Sequence, residues 1–81
     1  IPQADWTYCY AREIFDDVER QADLVMKKLP FPVFVKPASA GSSVGIGKAK
    51  DRDGLIAALK EAARHDFKVV IEAFVEDALG E

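Results

Sequence analysis

Apolar residues Ile14, Val18, Ala22, Val25 and Leu29 step by four, four, three and four, and Pro30 and Pro32 follow at once. That spacing marks one face of a 3.6-residue period and predicts an amphipathic helix over residues 12–29. Glu13, Asp16 and Asp17 lie near its start and Lys27 and Lys28 at its end, signs that suit the helix dipole. The prolines cannot continue it. The period then changes. Val33 and Val35 alternate with Phe34 and Lys36 up to Pro37, which reads as a strand over residues 32–36. A chain that switches between these two periods across two prolines is committed to packing helix on sheet.

The remaining segments complete that layout. Trp6-Thr7-Tyr8-Cys9-Tyr10 is aromatic and β-branched and reads as a strand, with Pro2 outside the ladder. Residues 44–50 read as a third strand. In the helix that follows, Asp51 or Asp53 is the expected N-cap and Leu55, Ile56, Leu59, Ala62 and Ala63 the inner stripe. Gly54 near its start lowers its helix propensity. Residues 67–72, centred on Val69, Val70 and Ile71, read as the fourth strand. The order is β-α-β-β-α-β, an α+β fold. Its simplest packing is a four-stranded antiparallel sheet with two helices on one face, the other face being left for a partner or ligand. A ferredoxin-like domain has the same element order, so the order alone assigns no function. The 81 residues suffice for one small domain, which buries only ~60% of its unfolded surface.

Composition removes several classes. With 49% hydrophobic and 31% charged residues the chain reads as globular. A net charge of −3, with no Lys/Arg stripe, argues against nucleic-acid binding. No apolar run approaches the ~20 residues of a membrane span. Cys9 and His65 are the sole cysteine and histidine and cannot build a zinc site together. Cys9 reads as a buried thiol in a reducing cytoplasm. The sequence runs from Ile1 to Glu81 without an initiating Met or a terminal cap. It is expected to be a segment of a longer protein, with a processed mature chain as the alternative.

Candidate chemistry gathers around the second strand. If Val33 and Val35 pack on the helices, Phe34 and Lys36 point to the open face. Lysine is a compact cation with three donors, suited to phosphate. Taken alone, a solvated strand-end lysine is the plainer reading. The segment Ala38-Ser39-Ala40-Gly41-Ser42-Ser43 that follows strengthens the case. Its small residues let successive backbone N–H groups approach an anion, and the serine hydroxyls add donors. Gly45 and Gly47 keep the next strand's edge free of bulk. The P-loop pattern fails, because Ile46 stands where its second glycine belongs and Ala49 follows Lys48. The Rossmann fingerprint begun by Gly45 and Gly47 fails at Lys50. His65, beside Asp66, reads as a partner of a helix C-terminus. Trp6, Tyr8 and Tyr10 share one strand face, which could stack bases but is more commonly sheet core. Glu72 ends the fourth strand, opposite in alternation to Val69 and Ile71. A carboxylate there, beside an extended segment leaving the sheet, can accept from an exocyclic amine of adenine. The alternative is a surface acid on an edge strand.

Three stretches together resemble the central lobe of the D-alanine–D-alanine ligases, members of the ATP-grasp superfamily. They are Phe31-Pro32-Val33-Phe34-Val35-Lys36-Pro37, then Gly41-Ser42-Ser43-Val44-Gly45-Ile46, then Val70-Ile71-Glu72-Ala73-Phe74-Val75. The resemblance implies a single subdomain over residues 1–81, the small central lobe of a longer enzyme. That enzyme would use ATP to phosphorylate one D-alanine, whose acyl phosphate the amine of a second attacks, giving the dipeptide of peptidoglycan. It implies ATP and Mg²⁺ as cofactors, the metal ligands lying outside this segment, and a cytoplasmic parent that can form a homodimer. Carried over by motif, Lys36 would bind phosphate. The backbone of Gly41, Ser42, Ser43 and Val44, with the Ser43 hydroxyl, would cover the phosphates, and Ser42 would help close the site on the substrate side. Glu72 would take the adenine amine. Ala73 and Val75 would offer backbone contacts, with Phe74 beside the purine. Glu76 and Glu81 stand near the place of a ribose-binding glutamate, at a spacing longer than the family's. The N-terminal lobe, a second phosphate lysine, the catalytic arginine and the acidic metal ligands have no counterpart here. The segment alone is therefore expected to be inactive and to bind ATP weakly. Other ATP-grasp ligases, making D-alanine–D-lactate, D-alanine–D-serine or other amino-acid products, and a non-enzymatic ferredoxin-like binding domain are the alternatives.

Overall fold

The computed structural model describes residues 5–39 and 47–73. Their elements run β1 (Trp6–Tyr10), α1 (Ala11–Asp16), α2 (Val18–Lys28), β2 (Val33–Pro37), β3 (Gly47–Ala49), α3 (Arg52–Ala63) and β4 (Lys68–Ala73). The strands form one sheet in the order β1-β4-β2-β3, and every neighbouring pair is antiparallel. The expected α+β class and four-stranded antiparallel sheet are therefore present.

Two expectations change. The single helix over residues 12–29 is two helices. Asp17 sits between them with φ −158° and ψ 83°. Its N–H still donates to the Glu13 carbonyl at 3.0 Å, while its carboxylate accepts from the Arg20 N–H at 3.1 Å. An aspartate competes with the helix for its own backbone and caps a new start well. The four-residue step from Ile14 to Val18 spans the break, so the apolar pattern runs on across it. The second change concerns the aromatic stripe of β1. It is not core: Trp6 is 59% and Tyr8 46% exposed, while Cys9 is 4% exposed and faces the helices.

The core lies between the sheet and the helix layer. Val33, Val35, Ala49, Val69, Ile71 and Ala73 point in from the sheet, and Ile14, Ala22, Val25, Leu29, Leu55, Leu59, Ala62 and Ala63 from the helices and their ends. Val18 and Ile56 are partly buried against it. No polar side chain is buried among the described residues. Asp51, one of the two expected caps, closes the start of α3 by accepting from the Gly54 N–H at 2.8 Å. A Cβ at Gly54 would stand 3.1 Å from that same carboxylate oxygen, so the glycine that lowers propensity also makes room for the cap. Gly47 faces inward, where an added Cβ would meet Ala58 at 3.4 Å. Arg52 Nε reaches Asp23 at 3.1 Å, an exposed link from α3 to α2.

Burial pushes the Cys9 thiol up to about 11, with the charge of Glu13 adding to the effect. The thiolate is the nucleophile that attacks thiol reagents. Labelling of Cys9 is thus expected to be slow in the native chain and fast in denaturant, as read by mass; fast native labelling would contradict its burial. In urea titrations Leu59→Ala is expected to cost about 2–5 kcal/mol. Phe67→Ala, at a side chain 73% exposed, is expected to stay within about 0.5 kcal/mol.

Candidate functional site

Strand β4 lies inside the sheet with Val69, Ile71 and Ala73 committed to the core, so Lys68, Val70 and Glu72 are turned to the uncovered face. On β2 the same alternation turns out Phe34 and Lys36, as expected. The register sets Phe34 beside Glu72 and Lys36 beside Val70. From that position Lys36 Nζ reaches diagonally to Glu72 Oε2 at 3.4 Å, the two side chains being 34% and 43% exposed. The cation assigned to phosphate and the carboxylate assigned to a base amine thus stand side by side. Lys48 on β3 pairs with Phe34 in register on the same face.

β1 completes the face. The Ala73 N–H donates to the Asp5 carbonyl at 2.8 Å and the Ala11 N–H to the Phe67 carbonyl at 2.7 Å. By alternation Trp6–Glu72, Tyr8–Val70 and Tyr10–Lys68 are the non-hydrogen-bonded pairs, with Cα atoms about 4.5 Å apart and side chains closest. Lys68 Nζ stands 4.6 Å over the Tyr8 ring. Tyr8 and Tyr10 meet edge to face at 5.6 Å, and the Arg12 guanidinium lies 5.9 Å from the Tyr10 ring. These contacts order the stripe without burying it.

Asp66 makes a set of contacts beside this face that pattern reading passed over. Its Oδ2 accepts from the Ser39 N–H at 2.7 Å. Its Oδ1 accepts from the N–H groups of Phe67 at 2.6 Å and Lys68 at 3.4 Å. The Ala38 N–H adds a bond to the Lys68 carbonyl at 2.9 Å. One carboxylate therefore ties the chain just after Lys36 and Pro37 to the start of β4. The only hint in the sequence is an aspartate before a strand, a common turn residue. Gly41, Ser42, Ser43, Val44, Phe74 and Val75 lie outside the described residues, as do Glu76 and Glu81. Ala73 is inside them. Because its N–H is engaged by Asp5, a base contact from Ala73 would use its carbonyl.

Other features stand apart from this face. His65 Nε2 lies 3.0 Å from Glu61 Oε2, and that contact, with Arg64 nearby, holds the Glu61 carboxyl below its usual value. An open groove of about 450 Å³ runs past Phe15, Val18, Lys60 and Arg64 on the helix layer and touches neither Lys36 nor Glu72. Among the described residues no group of three or more His, Cys, Asp or Glu side chains could hold a metal ion.

The hydrogen bonds from Ser39, first its hydroxyl and then its N–H, with those from Phe67 and Lys68, lower the Asp66 pKa. A lowered native pKa gives stabilisation that is complete above the ordinary aspartate value of ~3.9 and lost as pH falls through the native one. On acidification the Ser39 amide resonance is expected to move with a midpoint below ~3.9. A midpoint at or above that value would contradict the tether.

Relatives of the whole segment can now be set beside this geometry. A family model described as D-ala D-ala ligase C-terminus matches residues 1–79. A D-alanine–D-alanine ligase of Acetivibrio thermocellus is 53% identical over 75 residues, covering 93% of this chain and 20% of its own length. The structure resembles the crystal structure of the D-alanine–D-alanine ligase from Helicobacter pylori, with a TM-score of 0.70 and 32% identity over 94% of this chain and 21% of that one. It also resembles the VanG D-Ala:D-Ser ligase from Enterococcus faecalis, with a TM-score of 0.66 and 29% identity over 94% of this chain and 20% of that one. The chain spans about a fifth of the length of curated relatives that it matches over most of its own length. With its family model matched over nearly every residue, the chain belongs to the D-alanine–D-alanine ligase family.

Proposed function

We propose that residues 1–81 form the central, ATP-binding lobe of a D-alanine–D-alanine ligase that supplies the dipeptide of peptidoglycan. The observation that carries the reading is the pairing of Lys36 with Glu72 at 3.4 Å on a sheet face no other described element covers. A phosphate cation and a base-amine acceptor are the two groups a nucleotide requires from one wall of its site. Both sit on adjacent inner strands, so their spacing is set by the ladder and not by loop geometry.

In the proposed reaction the γ-phosphoryl group of ATP passes to the carboxylate of one D-alanine, releasing ADP. The free amine of the second D-alanine then attacks the acyl carbon. Phosphate leaves, the amine loses a proton, and the peptide bond remains. Lys36 offsets negative charge on the phosphates as they shift. Covering them falls to the backbone N–H groups of Gly41, Ser42, Ser43 and Val44, and closing the site on the substrate side to Ser42. Glu72 accepts from the adenine amine, with Ala73, Phe74 and Val75 along the base. Bound Mg²⁺ supplies further neutralisation of phosphate charge; the described residues contain no ligand set for it, so this lobe contributes cationic and N–H donors. The remaining lobes bring the other catalytic groups, and the segment alone is inactive. The cytoplasm, which provides ATP and keeps a thiol such as Cys9 reduced, suits this role. None of the residues assigned above chooses the second substrate, and the segment is also similar to a D-Ala:D-Ser ligase; assays with D-serine and D-lactate as acceptors identify that substrate.

In the enzyme carrying the flanking lobes, Lys36→Ala removes a charge-assisted contact and is expected to raise the ATP requirement about tenfold to a hundredfold. An unchanged dependence of rate on ATP would overturn the assignment. Robust ATP-dependent dipeptide formation by the 81-residue chain alone would overturn its reading as one wall of a larger site.

A further inference from the structure

The aromatic stripe of β1 takes no part in the phosphate grip, yet one of its members is the cross-strand neighbour of the proposed base acceptor. Trp6 is the direct cross-strand partner of Glu72, in a non-hydrogen-bonded pair where side chains come closest. Both residues face the open side. Tyr8 has its ring face taken by Lys68 and Tyr10 faces Arg12. Trp6 touches the stripe only through a tilted contact with Tyr8, at 6.3 Å between centroids, and remains 59% exposed. For a large apolar ring at the edge of a shared face, that exposure leaves stacking surface to spare.

The sheet is also polarised along its strands. Lys36 lies toward the end where β2 passes into Pro37 and the glycine–serine segment, tethered there by Asp66. Trp6, Glu72 and Phe34 form a row toward the opposite end, where β4 finishes. A nucleotide laid with its phosphates at Lys36 and its base amine at Glu72 therefore brings the base toward Trp6 and Phe34.

We propose that Trp6 is a specificity-determining residue of the nucleotide site, its indole stacking on the purine whose exocyclic amine Glu72 accepts. This rests on the nucleotide reading above. It assigns base affinity, and not phosphate affinity, to the first strand.

The test is an NMR titration of the ¹⁵N-labelled enzyme carrying the flanking lobes, with Mg·ATP and separately with Mg·tripolyphosphate. The assigned indole N–H of Trp6 gives the base-side signal, read against the Lys36 backbone amide. The expected result is that ATP moves both signals while tripolyphosphate moves only Lys36. Trp6→Ala should weaken ATP at least about fivefold, as loss of one base–aromatic stack does. Trp6→Phe should largely restore it, and tripolyphosphate affinity should be the same in all three chains. If ATP moves Lys36 and leaves the indole still, the proposal for Trp6 is wrong and the nucleotide reading stands. An indole response equal for ATP and tripolyphosphate also overturns it. If neither signal responds to ATP, the nucleotide reading fails and takes this proposal with it. The wild-type titration decides even if a variant does not fold.

Discussion

The two-residue alternation of β4 between β1 and β2 is the constraint on which everything else depends. Val69, Ile71 and Ala73 are needed beneath the helices, and a strand that commits its odd residues inward has no choice about the even ones. Glu72 is therefore held outward by the burial of its neighbours and by hydrogen bonding on both strand edges. The same holds for Lys36, fixed by Val35 and Pro37 on either side. A one-residue slip of β4 would drive Glu72 into an apolar core and expose Ile71. The hydrophobic core thus sets the positions of the polar groups on the opposite face.

Those positions are rigid, but the contact between the groups is not strong. Lys36 and Glu72 are both about a third or more exposed, and an exposed ion pair contributes about 0–1 kcal/mol. A ligand that gives each group a better partner separates them at little cost. This combination of fixed backbone and weak side-chain pairing suits one wall of a cleft whose opposite wall comes from the rest of the enzyme. Asp66 extends the same logic past the end of β2: it pins Ser39 to β4.

Much of this was legible in the sequence because the relevant signals are local. The change of period across Pro30 and Pro32 separates helix from strand. The alternation of residues 33–36 and 69–72 assigns faces, and Asp51 and Asp53 together mark a helix start. The break at Asp17 was hidden because its flanking apolar residues, Ile14 and Val18, keep a four-residue step through it; the periodicity reports the buried face and is blind to a cap that preserves that face. The stripe of Trp6, Tyr8 and Tyr10 misled for a different reason. Its residues are the large rings of β1, but the strand turns the small Cys9 under the helix layer and leaves Trp6 and Tyr8 outside. Which face of an edge strand turns inward is a tertiary fact that alternation alone does not decide. The bonds from Asp66 to Ser39 join residues 27 apart and leave no pattern along the chain.

The most direct measurement is a crystal structure of the enzyme with its flanking lobes, bound to a non-hydrolysable ATP analogue. The account expects phosphate oxygens at Lys36 Nζ, the base amine at the Glu72 carboxylate, and the 3.4 Å pair opened between them. A nucleotide bound against the helix layer, with Lys36 and Glu72 still paired on a face it does not touch, would contradict it.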